Sequence, residues 1–436
     1  MRLSSLRASA TRIAAIALFA VALPNLASPG ATADATTPRS CAWVAEVDPA
    51  LFNVLYPDEA AHYWLLALPL LPGQSLVLHG KYPHSRYFSF TSYDLLLRSA
   101  DGIHDTEIAP DPGSSNPFAP GASRTAEPRS YTVRVVRGNR PTDPAPNTLY
   151  TGAADGSHSN PVTATVVYRD YRQDAGLDDD GGVGLPGVSL HTSLGDVPIP
   201  NCPYPGVPAN SLNKTLANAS LTSVLPPLVG SPTPRWRKFY NLQTSAAYAL
   251  TTSLTGERIG DLLAPITTAM PKGGFADNPD NTYIATELST SRGQVAVITG
   301  RMPTFPDTYD GRPTMMTGQL RYWSMCSEEF ATTRYYGCVT DDEVPLGPDR
   351  TFTIMVSTAA RRPSNATARC GIAWLPAGPA PDTIMIERNM LPDDSFIHSI
   401  QAARYGHERE DLGAYYPDTT YMTTKQAEAL GCTSAR

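Results

Sequence analysis

The sequence predicts an all-β protein with a few short helices, built as two tandem, duplicated β-sandwich-like domains. Three observations predict this class. The stretch Tyr63–Asp94, with the core GQSLVLHGKYPHSRYFSFTSYD, is echoed about 220 residues later. Gly73-Gln74, Gly80-Lys81 and Pro83 recur as Gly293-Gln294, Gly300-Arg301 and Pro303, and Arg86-Tyr87-Phe88-Ser89 recurs as Arg321-Tyr322-Trp323-Ser324. The chain also holds 41 Pro and 32 Gly against only 17% charged residues, a density of turn formers that favours short strands over helices. Finally, apolar and polar positions alternate over short runs, with Phe88 and Phe90 on one face and Tyr87, Ser89, Thr91 and Tyr93 on the other, the pattern of half-buried strands.

Taken in order, residues 1–35 read as a secretory signal peptide. Arg2, Arg7 and Arg12 precede an uncharged apolar run from Ile13 to Leu23, and Ala31-Thr32-Ala33 offers small residues for cleavage. The run is too short to span a bilayer, so no membrane insertion is expected. Removing this segment takes three arginines and one aspartate, so the formal charge goes from −7 to −9. An acidic chain with scattered arginines presents no basic stripe, and no nucleic acid is expected as a partner. The mature protein is expected to be a secreted monomer.

The first domain is assigned to 36–202. Asp48-Pro49 marks the start of a short helix that Tyr56-Pro57 stops. The repeat follows, and then 95–128 reads as one long loop. Arg129–Val133 opens the next strand and is echoed by Arg350–Ile354. Arg140-Pro141 is echoed by Arg362-Pro363, and Arg169 with Asp174 by Arg388 with Asp393. Residues 203–270 read as a linker or wrapping segment, with a helix over 241–255, and 271–436 as the second domain. Within it Asp394 suits the cap of a helix carrying Phe396, Ile397, Ile400 and Ala403. Thr423 with Gln426 forms a capping box before Gly431.

Six cysteines in an exported chain imply three disulfides. The pairs expected are Cys41–Cys202, Cys326–Cys338 across a hairpin, and Cys370–Cys432. No cysteine or histidine pair has zinc spacing, and no cofactor is implied. The acidic run Asp174, Asp178, Asp179, Asp180 can present oxygens to Ca²⁺, but its spacing is not that of an EF-hand, so an exposed turn is the default reading.

The phrases YPHSRYFSFTSYD, PDPGSSNPF, GGVGLP and GQLRYWSM resemble a family of exported actinobacterial proteins. More distantly, the strand ending Arg-Tyr-Phe-Ser and the Ala373-Trp374-Leu375-Pro376 strand followed by Arg388 resemble the domain-of-unknown-function β-protein families twelve-fourteen and twelve-fifty-four. The resemblance implies an all-β fold and carries over no catalytic residue.

For function, the repeated basic and aromatic positions Lys81, Arg86, Tyr87, Arg301, Arg321 and Tyr322 are the candidate ligand-binding residues. Arg86 and Arg321 each head an apolar row, so each must pair with a carboxylate or reach the rim. The partners expected are Asp58 and Asp280, which both follow proline, or Asp174 and Asp393. Two readings fit: a repeated framework ion pair, or two related clefts binding an anionic or carbohydrate-like extracellular ligand. The alternative is a secreted hydrolase, most plausibly a carboxylate-type glycoside hydrolase. Nucleophile motifs are missing, which leaves His84, Asp94 and Asp105 as the candidate acid/base residues.

Overall fold

The computed structural model describes residues 41–47, 53, 55–160, 162–201, 231–239, 276–329 and 332–432. The first half supplies β1 (Trp43–Val47), β2 (Ala61–Pro69), β3 (Ser75–Lys81), β4 (Ser85–Tyr93) and β5 (Ser99–His104). It continues with β6 (Ser130–Asn139), β7 (Thr148–Gly152), β8 (Thr163–Gln173), β9 (Gly187–Thr192) and β10 (Gly195–Ile199). The second half supplies β11 (Arg237–Phe239), β12 (Asn281–Ser289), β13 (Val295–Arg301), β14 (Tyr322–Glu328) and β15 (Tyr335–Thr340). After these come β16 (Thr351–Ser357), β17 (Ala373–Pro376), β18 (Asp382–Met390) and β19 (Asp418–Met422). Two five-residue helices, α1 (Glu408–Leu412) and α2 (Thr424–Glu428), lie near the C-terminus.

The strands form four sheets in two matched pairs. β1-β2-β8-β4-β5 has the same order as β11-β12-β18-β14-β15, and β9-β3-β6-β7 the same as β19-β13-β16-β17. The odd parallel pairing is matched too: β6 runs parallel to β7, and β16 to β17. Each half is therefore a β-sandwich around its own core. The first buries Trp64, Leu78, Phe88, Phe90, Tyr131 and Tyr168; the second buries Trp236, Ile298, Trp323, Phe352, Ile354 and Met385.

The shared glycines have a packing reason. Gly80 lies opposite Tyr131 in the β3–β6 ladder, and a Cβ there would collide with the tyrosine ring. Gly300 lies opposite Phe352, whose Cζ would sit 2.9 Å from a Cβ. In both sandwiches a buried aromatic ring lies across a strand position that only glycine leaves open.

The structure corrects several expectations. β4 is not half-buried: every residue from Ser85 to Tyr93 is buried, because the other domain covers its second face. Residues 95–128 are not one loop, since Ser99–His104 forms edge strand β5 against β4. Asp101 and Gly102 hid it from the sequence pattern. The segment after Asp394 forms successive turns rather than a helix. The Asp393 side chain takes the backbone N–H and hydroxyl of Ser395, a local bond that competes with a helical turn. The capping box at Thr423 and Gln426 is present and opens α2. The helices expected over 48–55 and 241–255 fall largely or wholly outside the described residues.

Cys326–Cys338 joins directly opposed positions of β14 and β15, and Cys370–Cys432 ties the C-terminus to the sandwich. Cys41 is disulfide-bonded, while Cys202 lies outside the described residues.

The Gly80–Tyr131 contact yields a direct test. Gly80→Ala is expected to cost about 1–3 kcal/mol through overpacking, read as a lower denaturant midpoint with an unchanged slope. A variant as stable as the parent would refute the close-contact account.

Candidate functional site: the seam between the sandwiches

The two sandwiches meet along β4, β8, β14 and β18, and the repeated arginines cross between them. Arg86, fully buried, gives Nη1 to Asp341 of the other domain at 2.7 Å and Nε to Thr308 Oγ1 at 2.8 Å. Arg321 reciprocates, giving Nη1 to Asp105 at 3.2 Å. The acids hold matching places. Asp105 follows β5 and accepts the backbone N–H of Phe88; Asp341 follows β15 and accepts that of Trp323. Each carboxylate thus uses one oxygen to fix its own domain and the other to hold the arginine of the next.

Charge density here is high for a buried region. Asp342 lies 3.9 Å from Arg86 and takes two bonds from Arg172, which also covers the Tyr309 ring at 3.8 Å. Burial pushes the Asp341 carboxyl up to about 6 despite the neighbouring Arg86. Burial also opposes ionisation of Asp342, but Arg172 and Arg86 outweigh it and hold this carboxyl below its ordinary value.

A second set of exchanges flanks the ion pairs. Tyr87 donates to Asp280 at 2.6 Å, with Asn278 also within bonding distance, and Tyr322 donates to Asp58 at 3.0 Å. Between them Tyr171 packs edge-on against both tyrosines, 5.5 Å from each. Arg169 reaches Tyr93 and the carbonyl of Ala276; Arg388 reaches Glu328 and the carbonyl of Tyr56.

The partners differ from those expected of Arg86 and Arg321. Asp58 receives Tyr322 and Ser324, Asp280 receives Tyr87 and lies near His104, Asp174 binds Arg124, and Asp393 binds Ser395. The proline-based match also shifts. Ala61 and Asn281 open corresponding strands and bond the carbonyls of Asp58 and Asn278, so Asn278 holds the place of Asp58.

At the open edge of the seam His104 sits 3.0 Å from Glu107 and 3.4 Å from Asp280. Burial pulls its imidazole down, but Glu107, Asp280 and Asp105 outweigh that and raise it to about 9. A histidine held as imidazolium at neutral pH positions charge; it does not serve as a general base.

The structure does not bring His84, Asp94 and Asp105 together. His84 contacts Arg129 at 2.6 Å, Asp94 binds Arg98 at 2.6 Å within its own turn, and Asp105 serves the seam. Among the described residues no hydrogen bond or ion pair links the three. Of the six candidate ligand residues, Arg86, Tyr87, Arg321 and Tyr322 lie in the seam, while Lys81 and Arg301 end β3 and β13 exposed to solvent. In the acidic run Asp178 accepts Gly182 N–H, and Asp179 faces His62 at 3.4 Å. The sequence reading missed Asp341, Asp342, Asp280 as the tyrosine partner, and His104. A signal existed for Asp341: Asp105 was already a candidate, and the acid ending its matched strand is Asp341.

No family model matches the chain, and no curated protein does. Among solved structures, an uncharacterized protein from Burkholderia cenocepacia has 10% identity and a TM-score of 0.46, covering 97% of this chain and 99% of its own. The VPA0106 protein from Vibrio parahaemolyticus has 10% identity and a TM-score of 0.39, covering 84% and 90%.

Two outcomes are expected at the seam. Arg86→Met strands Asp341 and should cost about 3–5 kcal/mol. Adding Asp341→Asn, whose amide oxygen still accepts Trp323 N–H, should return part of that loss in a double-mutant cycle; additive losses would show that the two groups are uncoupled. For His104, the folded value near 9 exceeds the unfolded 6.5. Its stabilisation, on the order of 3 kcal/mol, is fully present below pH 6.5 and disappears as pH rises through 9. Denaturation midpoints should fall over that window, and His104→Gln should flatten the fall.

Proposed function

We propose that this is an exported, disulfide-stabilised β-protein that binds an anionic or carbohydrate-like ligand on the face carrying Arg301, Tyr415 and His398. The observation that carries this reading is the surroundings of Arg301. Its guanidinium lies exposed over the Tyr415 ring, 5.7 Å from the centroid. His398 stacks on the same ring at 6.0 Å and 26°, and Phe396 supports it edge-on at 4.9 Å. Tyr415 is held from below by Gln319, and His398 by the carbonyl of Asp411. A cation beside fixed aromatic faces suits a sugar ring or an acidic group. Of the six candidate ligand residues, the four in the seam are committed across it, which leaves Arg301 and Lys81 facing solvent.

The test is a binding screen of the mature protein against glycans and small anionic compounds. Arg301→Ala and Tyr415→Ala should each weaken the best hit about tenfold or more; the thermal midpoint should be unchanged for exposed Arg301→Ala and lowered for Tyr415→Ala, which also loses packing against the second core. A hit whose affinity neither substitution alters would place binding elsewhere. Export is checked separately: protein recovered from the medium should begin near residue 36.

A further inference from the structure

We propose that the first sandwich holds a divalent metal ion between β1, β2, β8 and the 178–182 turn, ligated by Glu46, His62 and Asp179, with the acids Asp170 and Asp180 beside them. Ligand atoms of Glu46, His62 and Asp179 lie within 4.8 Å of one another. Asp170 is the independent observation. It is fully buried, and neither carboxylate oxygen has a hydrogen-bond partner. An unpaired carboxylate in that position is costly unless a cation meets it or a proton neutralises it.

Strand register puts Asp170 on the sheet face that carries the cluster, beside the three groups rather than among them. It lies directly opposite His62 in the β2–β8 ladder, so both side chains share one face of the sheet. Glu46 lies opposite Trp64, two residues along β2 from His62, and therefore on that face too. Gln173 ties the turn down by donating to the carbonyls of both Asp170 and Asp179. Gly181 passes so close that a Cβ there would stand 3.1 Å from Asp170 Oδ2 and 2.7 Å from Pro83 Cβ. His62 Nδ1 and Asp180 Oδ1 are likewise buried without partners.

The second sandwich shows what occupies the corresponding place. Its matching residues are Lys238, opposite Ile284, and Thr282, opposite Asn389. Lys238 puts its ammonium on the carbonyls of Gln401 and Ala403, and Asn389 Oδ1 accepts Ile400 N–H. There the chain supplies its own cation and a neutral, satisfied amide. In the first sandwich the lysine is replaced by an acid, the amide by an acid and the threonine by an imidazole. One imidazole nitrogen with carboxylate oxygens selects an ion of the Mn²⁺ or Zn²⁺ type over Ca²⁺.

The experiment strips the full mature protein with a chelator and titrates it with MnCl₂, ZnCl₂ or CaCl₂, reading bound ion per chain and thermal midpoint. One Mn²⁺ or Zn²⁺ per chain is expected, with a midpoint that rises on the order of 2 °C per tenfold excess. His62→Gln should abolish the shift, Asp170→Asn, which removes the neighbouring buried charge, should weaken it, and Asp196→Asn, at an exposed acid on the β9–β10 hairpin, should keep it. Without metal, Asp170→Asn should be at least as stable as the parent. Three results overturn the proposal: no stoichiometric ion, a response to Ca²⁺ alone, or binding that survives His62→Gln.

Discussion

The exchange of Arg86 for Asp341 and of Arg321 for Asp105 is the constraint on which the rest of the molecule depends. Each carboxylate also accepts a backbone N–H at the start of the strand that carries its own domain's arginine, so neither sandwich satisfies its seam alone. Burying such groups is expensive, and the geometry offsets the cost only when both halves are in register. The ion pairs therefore specify how the sandwiches dock more than they add net stability. The tyrosine exchanges through Asp58 and Asp280 repeat the same logic a few ångströms away and supply the apolar area that the charges lack.

Docking explains features that neither sandwich would show by itself. β4 and β14 are buried along their whole lengths because one face meets a core and the other meets the opposite domain. Tyr87 belongs to the seam cluster, whereas its neighbour Phe88 belongs to the first core. Aromatic residues on both faces of a strand thus mark a strand sandwiched between two partners.

The fold was legible in the sequence because its two matched halves print the same spacing twice. Gly80 and Gly300, Pro83 and Pro303, and Arg86 and Arg321 gave the matched strands and the order of the halves. The half-buried reading of β4 failed because alternation reports one core and cannot report a second domain. β5 escaped because Ser99, Asp101 and Gly102 have low strand propensity and are held by the ladder and by Asp277. The partners of Arg86 and Arg321 were illegible for a different reason. The sequence reading sought acids within each repeat, while the pairs cross between repeats, 255 and 216 residues apart.

Comparing the halves position by position separates framework from candidate function. Where both copies agree, as in the glycine–aromatic contacts and the crossed arginines, the residues build each domain or join the two. Where they diverge, the local chemistry diverges with them. Lys238 and Asn389 close a satisfied polar cluster in one half, while Asp170 leaves both carboxylate oxygens and His62 one imidazole nitrogen unmatched in the other. A fold under no demand at that place would retain the satisfied set or turn apolar, since both are cheaper than an unpaired buried carboxylate. An unmatched acid on one side alone is the physical ground for seeking a cation partner in the first sandwich and not in the second.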